Sequence, residues 1–264
     1  MKIGFIGCGN MGKAMLLGML DSKKVSADDV TVFDCLTSTT DDLKNKYGVK
    51  VALGNKELVE QSDVVFLAVK PQYYAQVLTE IKDVLRAETI LVSIAPGKTL
   101  AWLEEQVGDA HKIIRTMPNT PALVKEGMMG LCKNEKVTDE ELASVCALCN
   151  SFSRTEIVPE NLLDVVTAVS GSSPAYVFMF IEAMADAAVE GGMPRQQAYT
   201  FAAQAVLGSA KMVLETGMHP GQLKDMVCSP GGTTIQAVRV LEEKGMRASV
   251  MDAMKTCLDK SRQM

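Results

Sequence analysis

The first 116 residues alternate between short apolar runs and longer stretches with the 3.6-residue period of an amphipathic helix. Five apolar runs have the length and composition of strands, and they span residues 2–6, 30–34, 63–69, 89–94 and 112–116. Helical patterns lie between most of them, as in residues 10–20, 72–85 and 99–107. Strands that alternate with helices predict a doubly wound α/β fold, in which helices cover both faces of a parallel sheet.

The pattern changes after about residue 160, where helical stretches follow one another and no strand pattern returns. Glycine or proline separates these predicted helices, which span residues 174–192, 194–216, 219–227, 232–244 and 246–262. A chain of 264 residues is long enough for two domains. We therefore predict an N-terminal α/β domain over residues 1–160 and an all-helical C-terminal domain over residues 161–264.

Composition and charge narrow the class of partner and the compartment. The net charge of −5 argues against a nucleic-acid or anionic-membrane partner, which would require a basic surface. No uninterrupted apolar run approaches the roughly 20 residues that span a bilayer, and the N-terminus lacks the cleavage site of a signal peptide. The seven cysteines form no disulfide framework, so reduced thiols are expected. We predict a cytoplasmic protein without nucleic-acid or membrane partners.

The first strand candidate runs into a loop that fits the GxGxxG pattern of dinucleotide sites. Gly7 permits the tight turn, Gly9 lets the backbone approach a pyrophosphate, and Gly12 lets helix and strand pack closely. The N-terminus of the following helix offers free N–H groups to the phosphates. Because strand, loop and helix occur in this order, a Rossmann-type cofactor site is favoured over a turn without a ligand. The predicted cofactor-binding residues of the loop are Gly7, Cys8, Gly9, Asn10, Met11 and Gly12.

Asp34 ends the second strand candidate and is the next predicted cofactor-binding residue. A carboxylate there hydrogen-bonds the ribose 2′-hydroxyl of NAD and repels the 2′-phosphate of NADP. No arginine follows to hold that phosphate, but residues 37–39 offer three hydroxyls to it. Both NAD(H) and NADP(H) therefore stay open as the cofactor. Capping of the next helix is the alternative role for Asp34.

Four further segments decide the family, namely AVKPQ at 68–72, RTMPNTPALVKEG at 115–127, SGSSPAY at 170–176 and DMVCSPGGTTIQAV at 225–238. Together with the glycine loop, they resemble pyrroline-5-carboxylate reductases over nearly the whole chain. The resemblance implies hydride transfer from NAD(P)H to 1-pyrroline-5-carboxylate, which gives L-proline in the last step of proline biosynthesis. It also implies a C-terminal dimerisation domain and a homodimer, with a decamer built from dimers as the larger alternative.

The SPGGTT loop is the predicted substrate site. A Pro-Gly-Gly turn that runs into a helix exposes backbone N–H groups at the positive end of the helix dipole, which suits an anion. A helix cap without a ligand is the alternative, although the glycine pair and three hydroxyl residues exceed what capping requires. The resemblance implies that the loop holds the substrate carboxylate and that Thr234, as the catalytic residue, hydrogen-bonds the ring nitrogen. The predicted substrate-binding residues are Ser229, Gly231, Gly232, Thr233, Thr234 and Glu160.

The resemblance adds cofactor contacts outside the glycine loop. Residues 68–71 follow a central strand, at the end where doubly wound sheets bind ligands. Pro96 stands where the family usually has alanine, so a backbone donor is lost there. For Glu160, an exposed position at the domain boundary is an equal alternative to a substrate contact. The further predicted cofactor residues are Asn55, Ala68, Val69, Lys70, Pro71 and Ala95.

Three other functions are alternatives to this assignment. A β-hydroxyacid dehydrogenase would need a positioned lysine or acid on the first helix of the second domain, and the segment 175–192 has no lysine. A related imine reductase would share the same motifs. A nucleotide-sensing paralogue without turnover is disfavoured by the intact SPGGTT loop. The two histidines lie outside every motif, so no metal site is predicted.

Overall fold

The structure is a computed structural model that describes residues 1–263. Eight strands of this part of the chain form one sheet, in the order β3-β2-β1-β4-β5-β6-β7-β8. They are Ile3–Ile6 (β1), Val30–Phe33 (β2), Lys50–Val51 (β3), Val64–Leu67 (β4), Ile90–Ser93 (β5), Lys112–Met117 (β6), Gly127–Lys133 (β7) and Ser153–Ile157 (β8). All neighbouring strands are parallel except β6 and β7. The strand order reverses between β1 and β4, where doubly wound sheets form a ligand crevice at the carboxyl ends of the strands.

Helices connect the strands and cover both faces of the sheet. They are Asn10–Asp21 (α1), Thr37–Tyr47 (α2), Asn55–Glu60 (α3), Tyr74–Ile81 (α4), Leu100–Val107 (α5), Asp139–Cys149 (α6) and Leu163–Val166 (α7). The five predicted strands are confirmed, and so are the helices predicted over residues 10–20, 72–85 and 99–107, although α4 is shorter than its pattern.

Three strands were not predicted, and each lies toward an edge of the sheet. β3 has only two residues, and β8 is mostly exposed and carries four polar or charged side chains in the run SRTEI. The edge strands β3 and β8 need no apolar run that is buried on both faces, so their sequences lack that signal. β7 is mostly buried, but glycines, which strands disfavour, interrupt its run GMMGLCK. The prediction of an all-parallel sheet was incomplete, because β7 runs antiparallel to β6.

Successive residues of the central strands enter two separate cores. Phe5, Phe66 and Val92 belong to the core on one face, whereas Leu67 and Leu91 belong to the core on the other. Phe5 and Phe66 stack across the β1–β4 pair with ring centroids 4.9 Å apart. This alternation explains the continuous apolar runs, since a strand covered on both faces has no solvent-facing side.

The described chain divides into two compact units. The first comprises Met1–Ser172 and the residues from Cys257 onward, and the second comprises Ser173–Thr256. The units divide after Ser172, whereas the predicted domain boundary lies at residue 160. The domain boundary at residue 160 stays a prediction. Residues 160–172 remain with the sheet because α7 packs against Gly130 of β7. The end of the chain joins them, since the Ser261 hydroxyl donates to Asp164 Oδ1 at 2.9 Å.

The second unit is helical, as predicted. Its helices are Ser173–Glu190 (α8), Arg195–Thr216 (α9), Pro220–Val227 (α10), Thr233–Glu243 (α11) and Met246–Ser261 (α12), and α12 ends within the first unit. The buried residues of this unit are limited to Ala185, Ala198, Ala202 and Leu223.

One helical stretch of the described chain, residues 160–190, has the length and apolarity of a membrane-crossing segment. It is not an uninterrupted apolar run, because it contains scattered charged residues. A single stretch of this kind is weak evidence for a membrane, because helices of soluble proteins meet the same criterion.

Candidate cofactor and substrate sites

The three glycines of the GxGxxG loop have the three different geometries that the motif predicts. Gly7 has a φ of +94°, and a Cβ there would lie 2.8 Å from the carbonyl carbon and oxygen of Ala68. A Cβ on Gly12 would lie 2.4 Å from the Gly7 oxygen, so α1 can approach β1 only without a side chain. A Cβ on Gly9 would have no heavy atom within 4 Å. The open face at Gly9 leaves room for a ligand phosphate, and no side chain caps the N-terminus of α1.

Asp34 connects the glycine loop to the end of β2 by hydrogen bonds. Its Oδ2 accepts the N–H of Cys8 at 2.7 Å, and its Oδ1 accepts the N–H of Leu36 at 2.9 Å. The predicted alternative that Asp34 caps α2 is wrong in its geometry, because α2 begins at Thr37 after Leu36 as the N-cap residue. The carboxylate instead closes an Asx turn and fixes the loop. Asp34 also lines the neighbouring cleft.

The Cys8 side chain lies beneath this loop and is buried. Burial is the main reason that the pKa of its thiol is raised to about 12, and the negative charge of Asp34 raises it further. The thiol is therefore protonated at neutral pH and is a poor nucleophile.

A cleft of about 560 Å³ opens beside the glycine loop in the first unit. It brings together seven of the predicted cofactor residues, namely Gly7, Gly9, Asp34, Asn55, Ala68, Val69 and Lys70. The other six do not line the cleft: Cys8, Asn10, Met11, Gly12 and Pro71 lie close to these residues in the chain, whereas Ala95 follows the end of β5.

Sequence reasoning missed one wall of this cleft, which the segment around α4 provides. Tyr73, Gln76, Val77 and Glu80 line it at the three- and four-residue spacing of one helix face. The signal that could have revealed them is this spacing directly after the AVKP segment, because a helix that follows a central strand begins at the ligand-binding edge.

Tyr74 holds two strand ends together beside the cleft. Its side chain is buried, and its hydroxyl donates to the carbonyl of Leu67 at the end of β4 and accepts the N–H of Ile94 at 3.1 Å. Burial is the main reason that the pKa of Tyr74 is raised to about 12. The neutral hydroxyl therefore fixes the spacing of the β4 and β5 ends, from which the 68–71 segment and Ala95 continue.

Glu160 lies in a partly buried ion-pair network at the start of the predicted second domain. Arg115 of β6 is 4% exposed and donates from Nη1 to Glu160 Oε1 at 3.0 Å. The same oxygen accepts the N–H of Leu100 at 2.7 Å, and Arg115 Nη2 lies 3.8 Å from Asp164 Oδ1. The alternative of an exposed Glu160 is therefore wrong, while its contact with substrate stays a prediction.

The SPGGTT loop of the second unit forms a tight turn directly before α11. Gly231 has a φ of +69°, and the Gly232 N–H donates to the Ser229 carbonyl at 3.0 Å. The positive φ favours glycine at 231. A Cβ on Gly232 would lie 2.4 Å from Ser229 Oγ and 3.1 Å from the Ser229 carbonyl oxygen, so it would displace that hydroxyl. No side chain caps α11, which leaves its first N–H groups available to an anion. Thr233 is exposed and Thr234 is half-buried.

No group of three histidine, cysteine, aspartate or glutamate side chains in residues 1–263 is arranged to hold a metal ion.

Two family models match the chain. Residues 160–264 match a model described as pyrroline-5-carboxylate reductase dimerisation, and residues 2–97 match one described as NADP oxidoreductase, coenzyme F420-dependent. The first match begins at the predicted domain boundary, and the second contains the glycine loop and the cleft residues.

Similar proteins cover nearly the whole chain. A pyrroline-5-carboxylate reductase of Escherichia coli (strain K12) is 55% identical over 260 residues, which cover 98% of this chain and 97% of that protein. The crystal structure of the Plasmodium falciparum pyrroline carboxylate reductase with NADP bound has a TM-score of 0.90 and 34% identity, covering 99% and 97% of the two chains. A pyrroline-5-carboxylate reductase structure from Coxiella burnetii has a TM-score of 0.93, 34% identity and the same coverage.

Proposed function

The chain belongs to the pyrroline-5-carboxylate reductase family, and on that premise we propose which of its residues perform the reaction. It is an NAD(P)H-dependent oxidoreductase that reduces the C=N bond of 1-pyrroline-5-carboxylate and forms L-proline. The observation that carries the residue assignment is the single cleft that seven of the predicted cofactor residues line.

The first unit holds the nicotinamide cofactor in that cleft. The open face at Gly9 and the uncapped N-terminus of α1 receive the pyrophosphate. Asp34 faces the adenosine ribose, and the backbone of residues 68–71 contacts the nicotinamide end. The bound cofactor supplies the hydride, while these residues position it.

The 229–234 loop holds the substrate. Its free backbone N–H groups bind the carboxylate at the positive end of α11. The Thr234 hydroxyl hydrogen-bonds the ring nitrogen and orients the imine. The protonated imine is the reacting form, because its nitrogen accepts the electron pair without becoming an anion.

Turnover of 1-pyrroline-5-carboxylate with each reduced cofactor, followed by loss of reduced-nicotinamide absorbance, tests this assignment. Proline should appear in equal amount to the cofactor oxidised. A β-hydroxyacid offered with the oxidised cofactor is the control and should give no turnover. Oxidation of the β-hydroxyacid without reduction of the imine would contradict the assignment.

We expect both NADH and NADPH to support turnover, with kcat/KM values within about a hundredfold of each other, which is about 2.7 kcal/mol. Asp34 disfavours the 2′-phosphate, and Lys70 is the one basic residue among the described residues that line the cleft. The matched variant is Asp34→Asn, which should raise the NADPH-to-NADH ratio. The measured quantity is the ratio of the kcat/KM values for NADPH and NADH. The ratio is used because Asp34→Asn also removes a carboxylate oxygen that accepts the Cys8 N–H, which weakens the binding of both cofactors. A larger preference of the unmodified protein for NADPH would contradict this role of Asp34.

A homodimer is proposed from the exposed apolar surface of the second unit. On α8, Phe178 and Met179 are 62% and 68% exposed, and on α9 Phe201 and Leu214 are each 66% exposed. A helical unit with four buried side chains has too small a core to leave such surface in water. A partner subunit that covers these faces gives the unit the core that it lacks. The match to a dimerisation model over residues 160–264 supports the same proposal.

We expect sedimentation velocity at low protein concentration to show a dimer or a larger assembly of dimers, and no folded, active monomer. Phe178→Glu should dissociate the assembly, because a charge in an apolar interface is costly to bury. Leu53→Glu is the control, since Leu53 is 94% exposed in the first unit. Equal sedimentation of both variants and the unmodified protein would argue against an interface on α8. The decamer, the cytoplasmic location and the absence of metal, nucleic-acid and membrane partners stay predictions.

A further inference from the structure

Two consecutive tyrosines before and at the start of α4 have different surroundings. Tyr74 is 1% exposed and holds the ends of β4 and β5, whereas Tyr73 is 50% exposed and lines the cleft. The Tyr73 N–H donates to the Lys70 carbonyl at 3.0 Å, which fixes its backbone. The far end of this wall is fixed as well, because Asn55 Nδ2 donates to Glu80 Oε2 at 2.9 Å. Tyr73 therefore presents an accessible aromatic ring at the cleft from a fixed backbone.

The elements that line the cleft show which half of a dinucleotide it faces. Within residues 1–263, its walls come from the ends of β1, β2 and β4 and from α3 and α4, and the ends of β5 and β6 contribute nothing. In sheets with this strand order, the dinucleotide crosses the crevice between β1 and β4, and an acid at the end of β2 binds the adenosine ribose. Asp34 is that acid and lines the cleft. The wall that includes Tyr73 therefore faces the adenosine half of the cofactor.

The lining near Tyr73 suits a flat apolar group. The residues that share an apolar side chain there are Ile6, Phe33, Val69 and Val77. Val77 lies one helical turn after Tyr73, so the two side chains lie on the same face of this segment. In the adenosine half of a dinucleotide, adenine is the group with a flat aromatic face, whereas the ribose and the pyrophosphate are polar. Nucleobases stack on aromatic side chains through such faces.

We propose that Tyr73 is a cofactor-binding residue whose ring stacks on the adenine of NADH or NADPH. This inference rests on the proposed placement of the cofactor in the cleft. Adenine is common to the two cofactors and lies far from the carbon that carries the hydride. The stack therefore increases the affinity for both cofactors by the same factor and leaves the chemical step alone.

The test is Tyr73→Ala, assayed with each reduced cofactor at saturating 1-pyrroline-5-carboxylate. We expect the KM for NADH and for NADPH to rise about fivefold to fiftyfold, the effect of losing one base–aromatic stack. The NADPH-to-NADH ratio and the KM for 1-pyrroline-5-carboxylate should stay unchanged, and kcat should not fall. An unchanged KM for both cofactors would overturn the proposal.

Matched variants separate the ring from its hydroxyl and from the fold. Tyr73→Phe keeps the ring and should bind both cofactors nearly as the unmodified protein does, and a loss equal to that of Tyr73→Ala would overturn stacking. Tyr47→Ala is the control, since Tyr47 is 40% exposed at the end of α2 and does not line the cleft. If Tyr73→Ala melts at a lower temperature, Tyr73→Leu keeps most of the bulk without the flat ring. Normal cofactor binding by Tyr73→Leu would also overturn the proposal.

Adenosine diphosphate ribose, which lacks the nicotinamide, locates the contact. Its inhibition constant against NADH should rise in Tyr73→Ala by the same factor as the KM for NADH. An unchanged inhibition constant would show that the ring acts at the nicotinamide end and would overturn the assignment to adenine. Failure of the unmodified protein to oxidise NADH with 1-pyrroline-5-carboxylate would instead contradict the proposed cofactor site itself.

Discussion

Replacement of Arg115 by methionine is expected to lower the free energy of unfolding by about 1.5–3 kcal/mol, the usual contribution of a hydrogen bond to a charged group. Methionine fills a similar volume, so the loss comes from charge rather than from a cavity. Arg115 is the cation that faces Glu160 and Asp164, whose side chains are 33% and 23% exposed. Without it, two partly buried carboxylates are left near each other with no counter-ion.

Denaturant unfolding measures this change, with the midpoint and the slope reported separately. The double variant Arg115→Met with Glu160→Gln should regain part of the loss, because it removes one of the uncompensated charges. Lys46→Met is the control, since Lys46 pairs with Asp42 on the exposed surface of α2 and should unfold nearly as the unmodified protein does. A similar result for Arg115→Met and Lys46→Met would show that the network contributes little.

Thr234→Ala is expected to lower kcat/KM for 1-pyrroline-5-carboxylate by about tenfold to a hundredfold. A hydrogen bond to a group that is charged in the reacting state contributes about 1.5–3 kcal/mol, and about 1.4 kcal/mol corresponds to a factor of ten. Turnover should persist, because the cofactor supplies the hydride and backbone N–H groups bind the carboxylate. The KM for NAD(P)H and the melting temperature should stay close to those of the unmodified protein.

Neighbouring variants distinguish catalysis from helix capping at this loop. Thr233→Ala removes an exposed hydroxyl one residue away and should have a milder effect, while Thr234→Ser should restore most of the activity. A capping threonine would instead lose about 0.5–2 kcal/mol of stability on replacement by alanine. Normal turnover by a Thr234→Ala protein that melts several degrees lower would show that Thr234 contributes to the stability of α11 and not to the reaction.

Most of the fold could be predicted from the sequence because its signals are local. The apolar runs of β1, β2, β4, β5 and β6 are buried on both faces, so each is continuous and recognisable. β8 lacked this signal because it is the exposed edge strand, and the buried run of β7 is interrupted by glycines, which strands disfavour. Nothing local in the sequence of β7 indicates that it runs antiparallel, because strand direction depends on the route of the connecting chain.

Some residues of the candidate site could likewise be predicted from local sequence signals, and others could not. Its glycines and Asp34 were predictable, since a GxGxxG loop between a strand and a helix has a backbone geometry that few other residues adopt. Tyr74 and Glu80 were not predicted, although both lie on the helix after the AVKP segment. Their roles depend on partners 20 and 25 residues away, Ile94 and Asn55.

The sequence by itself determined the class of fold, the cofactor loop and the family, because these depend on residue periodicity and on backbone conformations that only certain residues permit. Gly7, with its positive φ and its approach to Ala68, is such a position. Only the tertiary structure decided that Arg115 binds Glu160 and that Glu80 binds Asn55. A charged or polar side chain carries no mark of its partner, and the order of strands in the sheet brings the two together.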